Sequence, residues 1–227
     1  MKTIVKTVFA FDDLSDSAKE KARQWYREGA FDYDWWEFVY EDAIQCAEIM
    51  GIEIDTRATT RMDGKPGTGQ PKIYFSGFSS QGDGACFDGH YAYTRGAAKK
   101  IRQHAPLDKE LHAIADALQE AQKSAFYRLS ATAKQSGHYS HSGCMSVDVR
   151  NTDSQGNDIG CTDEQESMVT QCLRDFADWI YSQLEKEYDY MNEDEQVDES
   201  IRANEYAFGE DGRRAAYADL ATEAKQA

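Results

Sequence analysis

The 227-residue sequence has no apolar run near the ~18 residues that a transmembrane helix needs, so no membrane span is expected. Its start, Met1 to Val8, lacks a signal-peptide apolar region and cleavage site, and the chain is expected to stay in the cytoplasm where it is made. There is no CxxC pair. The five cysteines (Cys46, Cys86, Cys144, Cys161, Cys172) are odd in number and widely spaced, which argues against a disulfide framework or zinc ribbon and leaves reduced, mostly buried thiols. Basic residues are scarce: 25 Lys and Arg face 41 Asp and Glu, a formal charge of -16. Without basic clusters, direct nucleic-acid binding is disfavoured, because an acidic surface repels phosphate backbones and attracts basic proteins.

The acidic excess is uneven. Residues 162–227 hold 18 acidic and six basic residues, a net of -12, against 23 acidic and 19 basic, a net of -4, before them. The segment 185–199 is the densest part, where Glu185, Glu187, Asp189, Glu193, Asp194, Glu195, Asp198 and Glu199 are opposed by Lys186 alone. Tyr188, Tyr190 and Met191 are interleaved with them, and such residues are enriched at protein interfaces. The bland alternative is a solvated helix face.

The sharpest local signal is residues 72–93, in which two aromatic-rich runs flank Ser79, Ser80, Gln81, Gly82, Asp83 and Gly84. Aromatic residues suit a half-buried pleated surface and the glycines supply positive φ, so the stretch predicts a β-hairpin. Along the rest of the chain, strands are expected at Thr3 to Phe9, Ile52 to Thr56 and Ile201 to Phe208, and Gly137 to Arg150 reads as a turn followed by a strand in which Met145, Val147 and Val149 alternate. Helices are expected over Ala18 to Glu28, from Asp34 to Gly51, over Arg95 to His104, from Asp108 through Leu129, and from Thr162 through Tyr188. Strands that do not alternate regularly with helices indicate α+β: one domain over 1–212 with a mostly antiparallel sheet of about five or six strands and packed helices. Residues 213–227 read as an Ala-rich helix or frayed tail.

Three constellations carry chemistry. The turn Ser79 to Gly84 is a candidate ligand site, since Gly-rich backbone can approach an anion or nucleotide, although Asp83 would repel phosphate. Cys86, Asp88 and His90 alternate along the second hairpin strand and should emerge on one face, but Cys86 and His90 stand roughly 13 Å apart by the strand rise. A Cys86 nucleophile would therefore need Asp83 with His138 or His141 as partners. His138, His141 and Cys144 offer three borderline ligands within seven residues, in no known zinc spacing and with no evident fourth, so no metal or other cofactor is expected.

Residues 73–89 (IYFSGFSSQGDGACFDG), residues 11–22 (FDDLSDSAKEKA) and residues 203–208 (ANEYAF) resemble a group of uncharacterised phage-encoded proteins sometimes labelled antitoxins of toxin-antitoxin systems. The resemblance covers most of the chain and carries no catalytic or binding residue. What it implies is context: a phage or mobile element in a bacterial cytoplasm, where small acidic proteins often inhibit host nucleic-acid enzymes. The expected function is inhibition of a host defence or nucleic-acid-handling protein, of anti-CRISPR or anti-restriction type, through an acidic, nucleic-acid-mimicking surface. Glu187, Asp189, Glu193, Asp194, Glu195, Asp198 and Glu199 would form that surface and a basic, nucleic-acid-binding host protein would be the partner. The alternative is a nucleotide or small-molecule site, or a Cys/His enzyme, on the hairpin at 76–90.

Overall fold

The computed structural model describes residues 7–29, 34–60, 64–67 and 69–215. In chain order they form β1 (Phe9–Ala10), α1 (Asp16–Gly29), α2 (Glu37–Met50), β2 (Ile52–Ile54), β3 (Thr56–Arg57), β4 (Gln70–Pro71), β5 (Ile73–Ser76), β6 (Gly84–Phe87) and β7 (Gly89–Ala92). Then follow α3 (Ala97–His104), α4 (Lys109–Ser124), β8 (Leu129–Gln135), β9 (Met145–Asn151), α5 (Asp163–Asn192), α6 (Asp194–Ala203) and β10 (Ala207–Phe208). The fold class is α+β, and every strand pair is antiparallel. The main sheet has four strands in the order β2-β7-β8-β9, and three two-stranded ladders accompany it.

Local chemistry explains most of these elements. Asp108 caps α4 by accepting the Leu111 N–H at 3.0 Å, and Thr162 with Gln165 forms a reciprocal capping box at the start of α5. Gly51 ends α2 with φ 87°, in the left-handed region that glycine enters without Cβ strain. Among the described residues no helix is long and apolar enough to cross a membrane.

The chain divides into two compact units. The larger, residues 36–185, buries Phe87, Ile101, Leu111, Leu129, Leu173, Phe176, Ile180 and Leu184 between sheet and helices, with the Phe87 and Phe176 rings edge to face at 5.8 Å. The smaller comprises residues 1–35 and 186–227, of which the described part joins β1 to β10 and packs α1 on α6 through Phe11, Leu14, Ala22, Tyr26, Val197, Ile201 and Phe208.

Several sequence expectations change. The helix from Asp108 stops at Ser124, and Leu129 opens a seven-residue strand. No Gly or Pro marks the reversal; Phe126 and Tyr127 make it with φ of 55° and 63°. Gln122 secures it from within, its buried amide donating to the Leu129 carbonyl at 2.7 Å and accepting the Leu129 N–H at 3.1 Å. The strand expected from Ile201 is instead the end of α6, with only Ala207 and Phe208 extended, because Val197 and Ile201 lie one helical turn apart on a buried face. The strand expected after the turn at Gly137, by contrast, forms as β9. Most of the strand expected at Thr3 to Phe9, and the tail from residue 216, lie outside the described residues.

Candidate functional site

The hairpin forms as β5 and β6, with Ile73 opposite Phe87 and Ser76 opposite Gly84. Its connecting loop folds onto its own carboxylate. Asp83 Oδ2 accepts the backbone N–H of Ser79 at 3.0 Å and of Ser80 at 2.6 Å, so the groups that would have held an anion are already satisfied. Gly77 sits at φ 27° where a Cβ would meet the Asp83 carboxylate, and Gly82, at φ 96°, lies against the Tyr139 ring. Ser79, Ser80 and Gln81 are exposed, but the ligand cradle expected at Ser79 to Gly84 is a self-contained turn. Behind it, Tyr181 donates to the Gly77 carbonyl at 3.0 Å and stacks on Phe78, which stacks in turn on Phe75.

Cys86 does not meet the requirements of a nucleophile. It is fully buried on β6, and burial above all, with Cys144 and Asp88 nearby, pushes its thiol up to about 12. Cys86, Asp88 and His90 straddle a change of ladders at Asp88, with Cys86 buried and His90 exposed. β6 pairs with β5, whereas β7 pairs with β2 and β8. Asp88 serves that corner: Oδ1 accepts the Gln135 N–H at 2.8 Å and Oδ2 pairs with Lys72 Nζ at 3.3 Å. His90 is exposed, beside Thr132 and Asp55. His141 lies with its Nε2 3.5 Å from Cys144 Sγ, and His138 is exposed with its ring against Tyr139. Asp83 is held in the turn and Cys86 is enclosed, so neither is presented as a catalytic group, although His141 lies against Gly84 of the same strand.

Among the described residues, His138, His141 and Cys144, the borderline ligands of the loop, are not the three-donor group that the fold assembles. Among the described residues, the three-donor group with atoms within 4.8 Å of one another is Asp42, Cys46 and His104. Asp42 and Cys46 are one turn apart on α2, and His104 is the last residue of α3. Nothing in sequence spacing points to this set, since Asp42 and His104 are 62 residues apart.

The acidic segment splits into two kinds of carboxylate. α5 ends at Asn192, the backbone extends at Glu193 (φ -61°, ψ 141°), and α6 begins at Asp194. Two members pair with α1: the half-buried Asp198 receives Arg23 Nε at 2.7 Å and Nη2 at 2.8 Å, while the exposed Asp194 receives Arg27. Arg27 holds the Asp194 carboxyl below its ordinary range. Asp194 and Asp198, both placed on the expected partner surface, also tie α6 to α1; Asp194 stays exposed, whereas Asp198 is half-buried. Asp189, Glu193, Glu195 and Glu199 are exposed and Glu187 is half-buried. Of the interleaved aromatics, Tyr188 packs on Trp35 at 5.9 Å and Tyr190 is exposed.

A family model described as a domain of unknown function, DUF8835, matches residues 35–194. The chain belongs to the DUF8835 family. No curated protein and no solved structure matches it. The matched span includes the self-capped turn, the Asp42, Cys46 and His104 group, and the acidic positions Glu187, Asp189, Glu193 and Asp194. Arg23 and Arg27, with Glu195, Asp198 and Glu199, lie outside it.

Proposed function

We propose that this protein is a non-enzymatic binding protein that occupies a basic surface on a nucleic-acid-handling protein. In keeping with the phage-protein resemblance, that partner is a host defence component of the CRISPR or restriction kind. The observation that carries this reading is the segregation of the acidic segment: Asp194 and Asp198 neutralise Arg27 and Arg23, while Glu187, Asp189, Glu193, Glu195 and Glu199 are left to project from the end of α5 and from α6. Pinning α6 to α1 fixes the spacing of those charges, and a fixed array of carboxylates on helices offers a basic groove what a phosphate backbone offers it. The enzyme alternative on the hairpin is not favoured, because Cys86 is enclosed and the turn amides are occupied.

The test is kinetic. A partner captured from host lysate is mixed with wild type and with a variant carrying Glu187→Gln, Asp189→Asn, Glu193→Gln, Glu195→Gln and Glu199→Gln. Association of the wild type is expected to fall steeply with salt, and the variant to associate at least ~10-fold more slowly at low salt. Equal, salt-independent rates for both proteins would overturn the reading. A gel shift with duplex DNA at micromolar protein is expected to show no complex at physiological salt.

A further inference from the structure

We propose that Asp42, Cys46 and His104 form a binding site for a divalent ion of the zinc type, joining α2 to the end of α3, with a fourth position open to water. The three donors are a carboxylate oxygen, a thiol sulfur and an imidazole nitrogen, the atom types that bind zinc, and all lie within 4.8 Å of one another. Oxygen and nitrogen ligands each about 2.05 Å from a tetrahedral ion stand about 3.3 Å apart. Asp42 Oδ1 and His104 Nε2 are 3.4 Å apart. That spacing fits two corners of one coordination tetrahedron, and it is long for a direct N–H···O hydrogen bond, whose usual length is about 2.9 Å. A sulfur at about 2.3 Å from the same ion lies about 3.5 Å from the other two donors, so closing the group needs side-chain shifts of an ångström or so at most.

The surroundings suit a cation and limit its coordination. Cys46 is 1% exposed and approaches from the protein side, whereas the Asp42 side chain is 56% and that of His104 25% exposed, giving an entry path from solvent. Helical spacing places Asp42 and Cys46 on one stripe of α2, and Pro106 and the Asp108 cap stop the chain just after His104. Asp108 is not a fourth ligand: its Oδ1 accepts from Leu111 N and its Oδ2 accepts from Trp179 Nε1 at 2.8 Å. Ion binding forms one bond each to Asp42 oxygen, Cys46 sulfur and His104 nitrogen, and the displaced thiol proton goes to solvent.

The experiment uses untagged full-length protein stripped with a chelator and titrated with Co²⁺, then with Zn²⁺ in competition. One equivalent of Co²⁺ is expected to bind, with a thiolate-to-cobalt charge-transfer absorption that Zn²⁺ abolishes. Asp42→Asn and His104→Gln should each weaken binding at least as much as the about 10–100-fold that losing an outer-shell partner costs. Cys46→Ser should remove the charge-transfer band, while Cys144→Ser and Cys161→Ser should keep it. The proposal is overturned if no charge-transfer band develops, or if the band and affinity are unchanged in both Asp42→Asn and His104→Gln. Should Cys46→Ser fail to fold, those two variants at partly exposed positions decide the matter.

Discussion

The two units hold themselves together by different means. In the larger, Phe87, Phe176, Leu173 and Ile180 are enclosed, and the two buried polar side chains among the described residues are Gln122 and Asn151. In the smaller, the core is modest and charge supplements it. Lys19, Arg23 and Arg202 lie over the Phe11 ring, Arg214 lies over Trp25 and Tyr206, and Arg23, Arg27 and Arg202 reach Asp198, Asp194 and Asp12. Little apolar area is available there, so cations that cover aromatic faces and bind carboxylates contribute more of the stability. The carboxylates left over after this pairing are the ones that the proposed function uses.

The comparison breaks most visibly in the larger unit. Phe176→Ala removes a ring from the centre of its core and is expected to cost about 3–5 kcal/mol, read from denaturant unfolding. A loss under about 1 kcal/mol would show that this core is not what holds the unit. Next is Gln122→Ala, which leaves the Leu129 N–H and carbonyl without their partner. Its cost should be about 1–3 kcal/mol for each group left unsatisfied. Gln122→Glu sharpens the test, since it keeps the acceptor for the Leu129 N–H but loses the donor to the carbonyl.

The smaller unit should respond to acid instead. Arg27 lowers the Asp194 carboxyl from its ordinary 3.8, and Arg202 lowers that of Asp12 in the same direction. A carboxyl lowered on folding stabilises the fold at pH above its unfolded value, and that stability is lost as pH falls below about 3.8 through the folded value. Melting curves between pH 5 and pH 2, followed at Trp25 and Trp35, should show this loss, and Asp194→Asn should flatten it. The smallest effect is expected from neutralising Glu187, Asp189, Glu193, Glu195 and Glu199 together. Stability should change by less than about 0.5 kcal/mol, or rise slightly as like charges are removed. Adding Asp194→Asn and Asp198→Asn to that variant should destabilise it, because Arg23 and Arg27 then lose their ion pairs to α6.

Local sequence determined a good deal of this protein. The caps at Asp108 and Thr162, the left-handed Gly51, the aromatic hairpin and the α+β class follow from interactions within a few residues, where spacing alone brings the groups together. The acidic excess at 185–199 was also legible, since composition needs no structure. Tertiary structure decided the rest. Asp83 closing its own turn is a local act, yet the same residues read equally well as an open cradle until the Ser79 and Ser80 amides are seen to be taken. The turn after α4 carries no breaker, and a buried glutamine bonded to Leu129 determines it. Which carboxylates are structural and which are free depended on Arg23 and Arg27, 175 and 167 residues from Asp198 and Asp194. The donors at Asp42, Cys46 and His104 met only when α2 packed beside α3. For the ion pairs of α6 and the donors on α2 and α3 the deciding partner is distant in sequence, and folding alone brings such partners within bonding distance.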